Sequence, residues 1–237
     1  MGASRWLEVS AACQPTLGSP HCGVVAPVTS VIYAATAWKT NAALIVDVHR
    51  LGYLKDTDLI LDPTWGRGRW WTDWAPTAPG RLVARDRYTV PGDDEWDFRA
   101  MDYVGDTFDA VAFDPPYVSV GGRETTTIQG MHDAYGMGDA PTTPDGVQGD
   151  INTGLEECFR VVKKGGIVLC KCQSYVTSGK LYPGTFNTWM WAVHHTGFQL
   201  VDHLCHISGA RPQPAGRRQV HARRNQSDLL VLRRPRR

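Results

Sequence analysis

No stretch of the chain is apolar for long enough to cross a bilayer, since a helical span needs about 20 consecutive apolar residues. The opening residues, MGASRWLEVSAACQPTLG, lack the basic-then-apolar layout of a secretory signal. Both absences lead to the expectation of a cytoplasmic protein with no membrane partner. Cysteine is sparse and poorly spaced for a metal. Cys170 and Cys172 flank Lys171 on an expected strand and make no CxxC pair, while His21-Cys22 and Cys205-His206 lack the spacing of a structural zinc module. Free thiols and no metal are therefore expected. Neither the GxGxxG of a dinucleotide site nor the GK[ST] of a phosphate loop occurs at the glycine turn described below.

What the chain does have is a globular balance. Its 237 residues are 42% hydrophobic and 21% charged, enough for one sizeable α/β domain and too little for two full ones. The net charge of +1 is unevenly placed. From Gly209 onward nine arginines face a single acid, Asp228, so this end carries +8 and the remainder −7. Segregation of this kind is an electrostatic footprint for a polyanion. Arg233 to Arg237 alone would read as a solvated basic tail. The run ARPQPAGRRQVHARRNQ, which carries Arg211, Arg217, Arg218, Arg223 and Arg224, lies between two apolar segments and is the stronger candidate for contact with nucleic acid.

Along the chain, residues 1–28 are irregular and proline-bearing, and residues 29–53 read as a helix stopped near Gly52. Short apolar runs at 58–61, 81–84, 108–113, 167–172, 198–205 and 229–232 read as strands. Helices are expected over 151–163, stopped by Gly165-Gly166, and over 186–195. Strands alternating with helices argue for a doubly wound, mostly parallel sheet with helices on both faces. One domain over 29–232 is expected, with long connections at 118–149 and 206–227 and a basic tail at 233–237.

Two segments carry the chemistry. LDPTWGRGRWW (residues 61–71) ends a strand at Asp62 and turns through Gly66 and Gly68, with a helix starting near Arg69. Glycine lets the backbone approach a ligand closely, and ligands of open α/β sheets bind beyond the carboxyl ends of the strands. Asp86, ending the next strand, can accept from ribose hydroxyls. Asp97 beside Phe98 would suit an adenine, although a surface turn explains the pair nearly as well. Trp65, Trp70, Trp71 and Trp74 fall at helical spacing, which favours core packing over base stacking.

The second segment is AVAFDPPYVSV, residues 110–120. A buried strand runs into Asp114, Pro115, Pro116 and Tyr117. Neither proline can donate to a ladder, so the chain must leave the sheet in a fixed, extended direction. On these four residues alone, a rigid turn is the simpler reading. The other is a stiff lip presenting a carboxylate, free carbonyls and an aromatic face.

Taken in order, these segments resemble the S-adenosylmethionine-dependent amino-methyltransferases, which methylate exocyclic amino nitrogens of nucleic-acid bases. LDPTWGRG is similar to that family's DPFxGxG cofactor loop, with Thr64 where phenylalanine is usual. DPPY matches its catalytic motif, and VVKKGGIVLCKCQ its helix, GG turn and fifth strand. GRRQVHARRNQSDLLVLRR resembles the C-terminal end of small phage and actinobacterial DNA methylases.

The resemblance covers most of residues 40–232 and implies a Rossmann-like class I methyltransferase fold with S-adenosyl-L-methionine held by Asp62, Thr64, Gly66, Gly68, Asp86, Asp97 and Phe98. It implies that Asp114 and the Pro115 carbonyl accept the amino hydrogens of a flipped base, that Pro116 stiffens the lip and that Tyr117 stacks on the base. DNA is preferred over RNA as partner because no appended RNA-binding segment is visible, and adenine N6 is preferred over cytosine N4 or the guanine N2 of ribosomal or transfer RNA. A scaffold retaining only nucleic-acid binding and a small-molecule methyltransferase remain as other readings. The oligomeric state is not legible.

Overall fold

The computed structural model describes residues 37–119, 141–207, 220–222 and 224–237. The chain divides into two units, Met1–Ala34, which lies outside the described residues, and Ala35–Arg237. Within the second unit six strands form one sheet: β1 (Ile60–Asp62), β2 (Leu82–Ala84), β3 (Phe108–Phe113), β4 (Val162–Cys172), β7 (Gln199–Ile207) and β8 (Gln226–Arg233). Their order is β2-β1-β3-β4-β8-β7. β2, β1, β3 and β4 pair in parallel, and β8 runs antiparallel to both of its neighbours. A separate hairpin joins β5 (Tyr175–Thr177) to β6 (Lys180–Tyr182).

Period-two alternation sorts the strand side chains onto two apolar faces. Val111, Phe113, Val168, Cys170, Leu230 and Leu232 pack against α2 (Pro144–Val161) and α3 (Gly184–His194). Ala110, Ala112, Ile167, Leu169, Leu229 and Val231 pack against α1 (Asn41–Arg50) and the tryptophans that follow the glycine turn. Helices thus cover both faces, which is why the central strands are buried nearly throughout.

Local chemistry explains where the elements depart from the sequence reading. α1 starts at Asn41 because Thr40 is extended and its hydroxyl accepts from the Ala43 amide at 3.1 Å; the first part of the expected 29–53 helix lies outside the described residues. α2 begins at Pro144, seven residues before the expected 151. Thr143 caps it by accepting from the Gly146 amide at 3.1 Å, and Pro144 occupies a first-turn position where no amide bond is lost.

The GG turn does not stop a helix. α2 ends at Val161, β4 begins at Val162, and Gly165-Gly166 lie inside β4 at a register shift against β3. There Gly165 has φ 82°, and a side-chain carbon on Gly166 would fall 2.6 Å from the Asp109 carbonyl oxygen. The expected basic tail also starts inside the fold. Arg233 closes β8, and Arg234 donates to Asp106 and the Val162 carbonyl, each at 2.6 Å. No described helix is long and apolar enough to cross a membrane.

Candidate active site

β1 has β2 on one side and β3 on the other, so the connections after β1 and β3 diverge and open a crevice at their carboxyl ends. The acid of each expected motif sits at that point: Asp62 ends β1 and Asp114 follows β3 directly.

The glycine turn after Asp62 is braced internally. The Thr64 amide donates to Asp62 Oδ1 at 3.1 Å and the Trp71 indole to Asp62 Oδ2 at 2.7 Å. Gly66 and Gly68 both take positive φ, 55° and 64°. At Gly68 a side-chain carbon would meet Trp65 Cζ2 at 2.5 Å, so the turn closes beneath the Trp65 ring. The chain then makes a single 3-10 turn, Arg69–Trp71, rather than the helix expected near Arg69. Burial pushes the Asp62 carboxyl up to about 7; the Trp71 and Thr64 hydrogen bonds oppose the shift, and the nearby Asp114 and Asp86 carboxylates add to it.

Asp86 lies at the rim. Its Oδ2 accepts from the Gly66 amide at 2.8 Å, and its Oδ1 accepts from the Tyr88 and Thr89 amides, each at 2.9 Å. A carboxylate offers about four lone-pair sites. Three are taken by described donors, which leaves one site on Oδ2. Nearby, the buried Thr89 hydroxyl has no hydrogen-bond partner among the described residues. Asp97 is gripped by Arg99, whose Nε and Nη2 approach its two oxygens at 2.8–3.1 Å, and that hydrogen bonding holds the Asp97 carboxyl below its usual range. Phe98 packs edge-on against Phe113, with ring centroids 5.4 Å apart.

The acid–proline corner is bonded directly to the glycine turn. The Asp114 amide donates to Thr64 Oγ1 at 2.8 Å, and the Trp70 indole donates to Asp114 Oδ2 at 2.9 Å. Lys171 Nζ stands 3.9 Å from the same oxygen. No described residue donates to Oδ1, and the Asp114 side chain is 26% exposed. Its carboxyl is raised from the usual range, chiefly by burial; the Lys171 ammonium, the Trp70 hydrogen bond and His206 pull the other way. Pro115 is buried, while Pro116 and Tyr117 are half-buried. The Tyr117 ring packs against the apolar face shared with α2 and α3.

Sequence reasoning reached both loops and missed what holds them. Trp70 and Trp71 are core residues at 5% and 7% exposure, as expected, but their indole N–H groups also tether Asp114 and Asp62. Lys171 is buried inside β4, and its ammonium donates to Asn41 Oδ1 at 2.7 Å. The available signal was a lysine within the apolar run 167–172. Of the basic run, Arg211, Arg217, Arg218 and Arg223 lie outside the described residues, whereas Arg224 is exposed.

The cysteines that are described, Cys158, Cys170, Cys172 and Cys205, are free thiols. Strand alternation groups Cys205 with His203 rather than His206. Both approach Asp228 Oδ1, at 3.5 Å and 2.9 Å, while Thr185 donates to Asp228 Oδ2 at 2.6 Å.

No protein-family model matches the chain, and no curated protein matches it. Solved structures similar to it include a proposed methyltransferase from Bacillus halodurans C-125, at 14% identity, 81% of this chain, 99% of that one and a TM-score of 0.49. Another is a proposed DNA modification methylase from Thermus thermophilus complexed with S-adenosyl-L-methionine, at 14% identity, 59% of this chain, 53% of that one and a TM-score of 0.39. The chain thus spans about half the length of the Thermus protein. A third is the N-methyltransferase NodS from Bradyrhizobium japonicum WM9, at 13% identity, 81% and 95% coverage and a TM-score of 0.44. The sheet itself, mostly parallel with helices on both faces, is the doubly wound, Rossmann-like architecture expected from the sequence.

Proposed function

We propose that this protein transfers the methyl group of S-adenosyl-L-methionine to the exocyclic amino nitrogen of a base flipped out of DNA, with adenine N6 as the target. One observation carries the reading: the glycine turn and the acid–proline corner are hydrogen-bonded together at the switch point of the sheet, with Asp114 Oδ2 engaged by Trp70 and Oδ1 left without a described donor.

The cofactor's sulfonium supplies an electrophilic methyl group. Asp62, Thr64, Gly66, Gly68 and Asp86 would hold it, with the remaining acceptor site on Asp86 taking a ribose hydroxyl. Asp97 would reach an adenine amino group only by sharing with Arg99, and Phe98 would contribute an apolar wall.

The exocyclic nitrogen of a base is a poor nucleophile because its lone pair is delocalised into the ring. Asp114 Oδ1 accepts one amino hydrogen and the Pro115 carbonyl accepts the other. This draws the nitrogen toward tetrahedral geometry and aims its lone pair at the methyl. Both acceptors are held before the substrate arrives, Asp114 by Thr64 and Trp70 and the carbonyl by consecutive prolines, so little reorganisation accompanies reaction. Tyr117 stacks on the extruded base. Transfer would be a direct displacement without a covalent enzyme intermediate, and the Asp114 carboxylate would take up the proton that the methylated nitrogen then sheds.

The test is to incubate the protein with S-adenosyl-L-methionine and, in separate reactions, unmethylated DNA and unmethylated RNA, digest to nucleosides and identify the product by mass spectrometry. N6-methyldeoxyadenosine is the expected product. A methylated cytosine or a methylated guanine from RNA would correct the target, and no methylated nucleoside from either polymer would overturn the reading.

A further inference from the structure

Lys171 is 3% exposed, and it lies between Cys170 and Cys172 in the buried second half of β4, where its neighbours from Ile167 to Cys172 are all apolar. A buried ammonium is costly unless its charge and its donors are matched. The register of β4 against β3 pairs Phe113 with Cys170, so Lys171 stands beside Asp114 just beyond the last paired residues. Its Nζ donates to Asn41 Oδ1 at 2.7 Å and lies 3.9 Å from Asp114 Oδ2. The rings of Trp70 and Tyr117 are each 5.9 Å from it. One ammonium therefore stands near three parts of the corner: the acid, the indole that tethers it and the tyrosine.

We propose that Lys171, anchored by Asn41, is the positioning residue for Asp114: its ammonium stands as the counter-charge beside Oδ2 and confines the protein's own contacts to that oxygen, so that Oδ1 faces the incoming amino group. This rests on the reading of Asp114 as the amino-group acceptor. A lysine that served only the core would close its ion pair at hydrogen-bond distance. Here the short bond goes to uncharged Asn41, at the half-buried start of α1, and the carboxylate is influenced through charge alone. Asn41 holds the ammonium from the α1 side, and Asp114 stays free to bond a substrate.

Asp114 is also faced by Asp62 from β1, by His206 from β7 and by the buried thiols Cys170 and Cys172 on β4. Among these groups Lys171 and His206 lower its carboxyl, and burial holds His206 below its own ordinary range. Lys171 is thus the main counter-charge, and removing it leaves the acid to desolvation.

The experiment follows the Asp114 side-chain carboxyl carbon by NMR titration in the cofactor-free protein, assigned through Asp114→Asn, alongside the pH profile of methyl transfer to DNA. In Lys171→Met the Asp114 midpoint and the acid limb of kcat both move up by about one pH unit. Affinity for S-adenosyl-L-methionine, measured by calorimetry, stays within about threefold of the parent. An unmoved midpoint overturns the proposal.

Should Lys171→Met fail to fold, Asn41→Ala keeps the charge and loses the anchor. It is expected to lower kcat about tenfold, with the acid limb in place and KM for DNA unchanged. Parental kcat in that variant overturns the anchoring role. The titration needs no turnover, so a protein that methylates no nucleic acid would sink the proposed function while the link between Lys171 and Asp114 was still read directly.

Discussion

Asp62 and Asp114 end neighbouring parallel strands, and each receives an indole N–H from one of two consecutive tryptophans. Burial raises both carboxyls, and the charge of Asp114 adds to the rise at Asp62. For Asp62 the folded value of about 7 lies above the ordinary carboxyl value of 3.8. Between those values the folded chain keeps a proton that the unfolded chain has released, so this group's contribution to stability declines as pH rises through that window. Asp62→Asn should remove that decline. Thermal unfolding of both proteins from about pH 5 to about pH 7.5 is expected to show the parent losing Tm relative to the variant as pH increases. Parallel curves would mean that Asp62 is already ionised throughout.

At this scale the position of both acids at strand ends was legible, because an apolar run broken by an acid and then glycine or proline marks where a strand leaves the sheet. Their tethers were not. Which indole meets which carboxylate depends on the path of a 3-10 turn, and three backbone amides converge on Asp86 only once the loop is closed.

Among the elements, α2 shows why helix boundaries were the least legible feature. Gly146, Gly149 and Gly154 dilute its apolar period, so its first two turns read as loop. Gly154 is there for packing. A side-chain carbon would fall 2.4 Å from Phe113 Cζ and 2.9 Å from Phe98 Cδ2, so the helix can lie close against β3 only where it has no side chain. Gly154→Ala gains up to about 1 kcal/mol of helix propensity. Overpacking against two aromatic rings costs about 1–3 kcal/mol. Net destabilisation, with a lowered urea midpoint and unchanged m-value, is the expected outcome. A raised midpoint would mean that Phe98 and Phe113 can move aside. Because Phe113 immediately precedes Asp114, the variant should also lose activity beyond its loss of stability. The GG turn taught a similar lesson: two glycines after a helix read as a stop, but here they form a bulge inside β4 that lets the strand re-register against β3.

For the whole molecule, apolar runs alternating with helices were enough to expect a doubly wound sheet, since a strand buried on both faces has to be apolar throughout. The antiparallel insertion of β8 between β4 and β7 was not legible, because pairing between residues as distant as Cys172 and Asp228 leaves no local mark. Charge segregation was legible from composition alone. The +8 of the C-terminal end supports a polyanionic partner, although only part of that run belongs to the described residues, and Arg234 is committed to the fold.

The proposed function divides between two loops that the fold bonds together, the glycine turn to hold the cofactor and the corner to activate the amino group. Asp114→Ala separates them. Calorimetry of the variant against S-adenosyl-L-methionine, paired with methyl transfer to DNA, is predicted to show cofactor affinity within a few-fold of the parent and transfer reduced by about a thousandfold or more. Transfer at or near the parental rate would contradict the assignment of Asp114 as the amino-group acceptor.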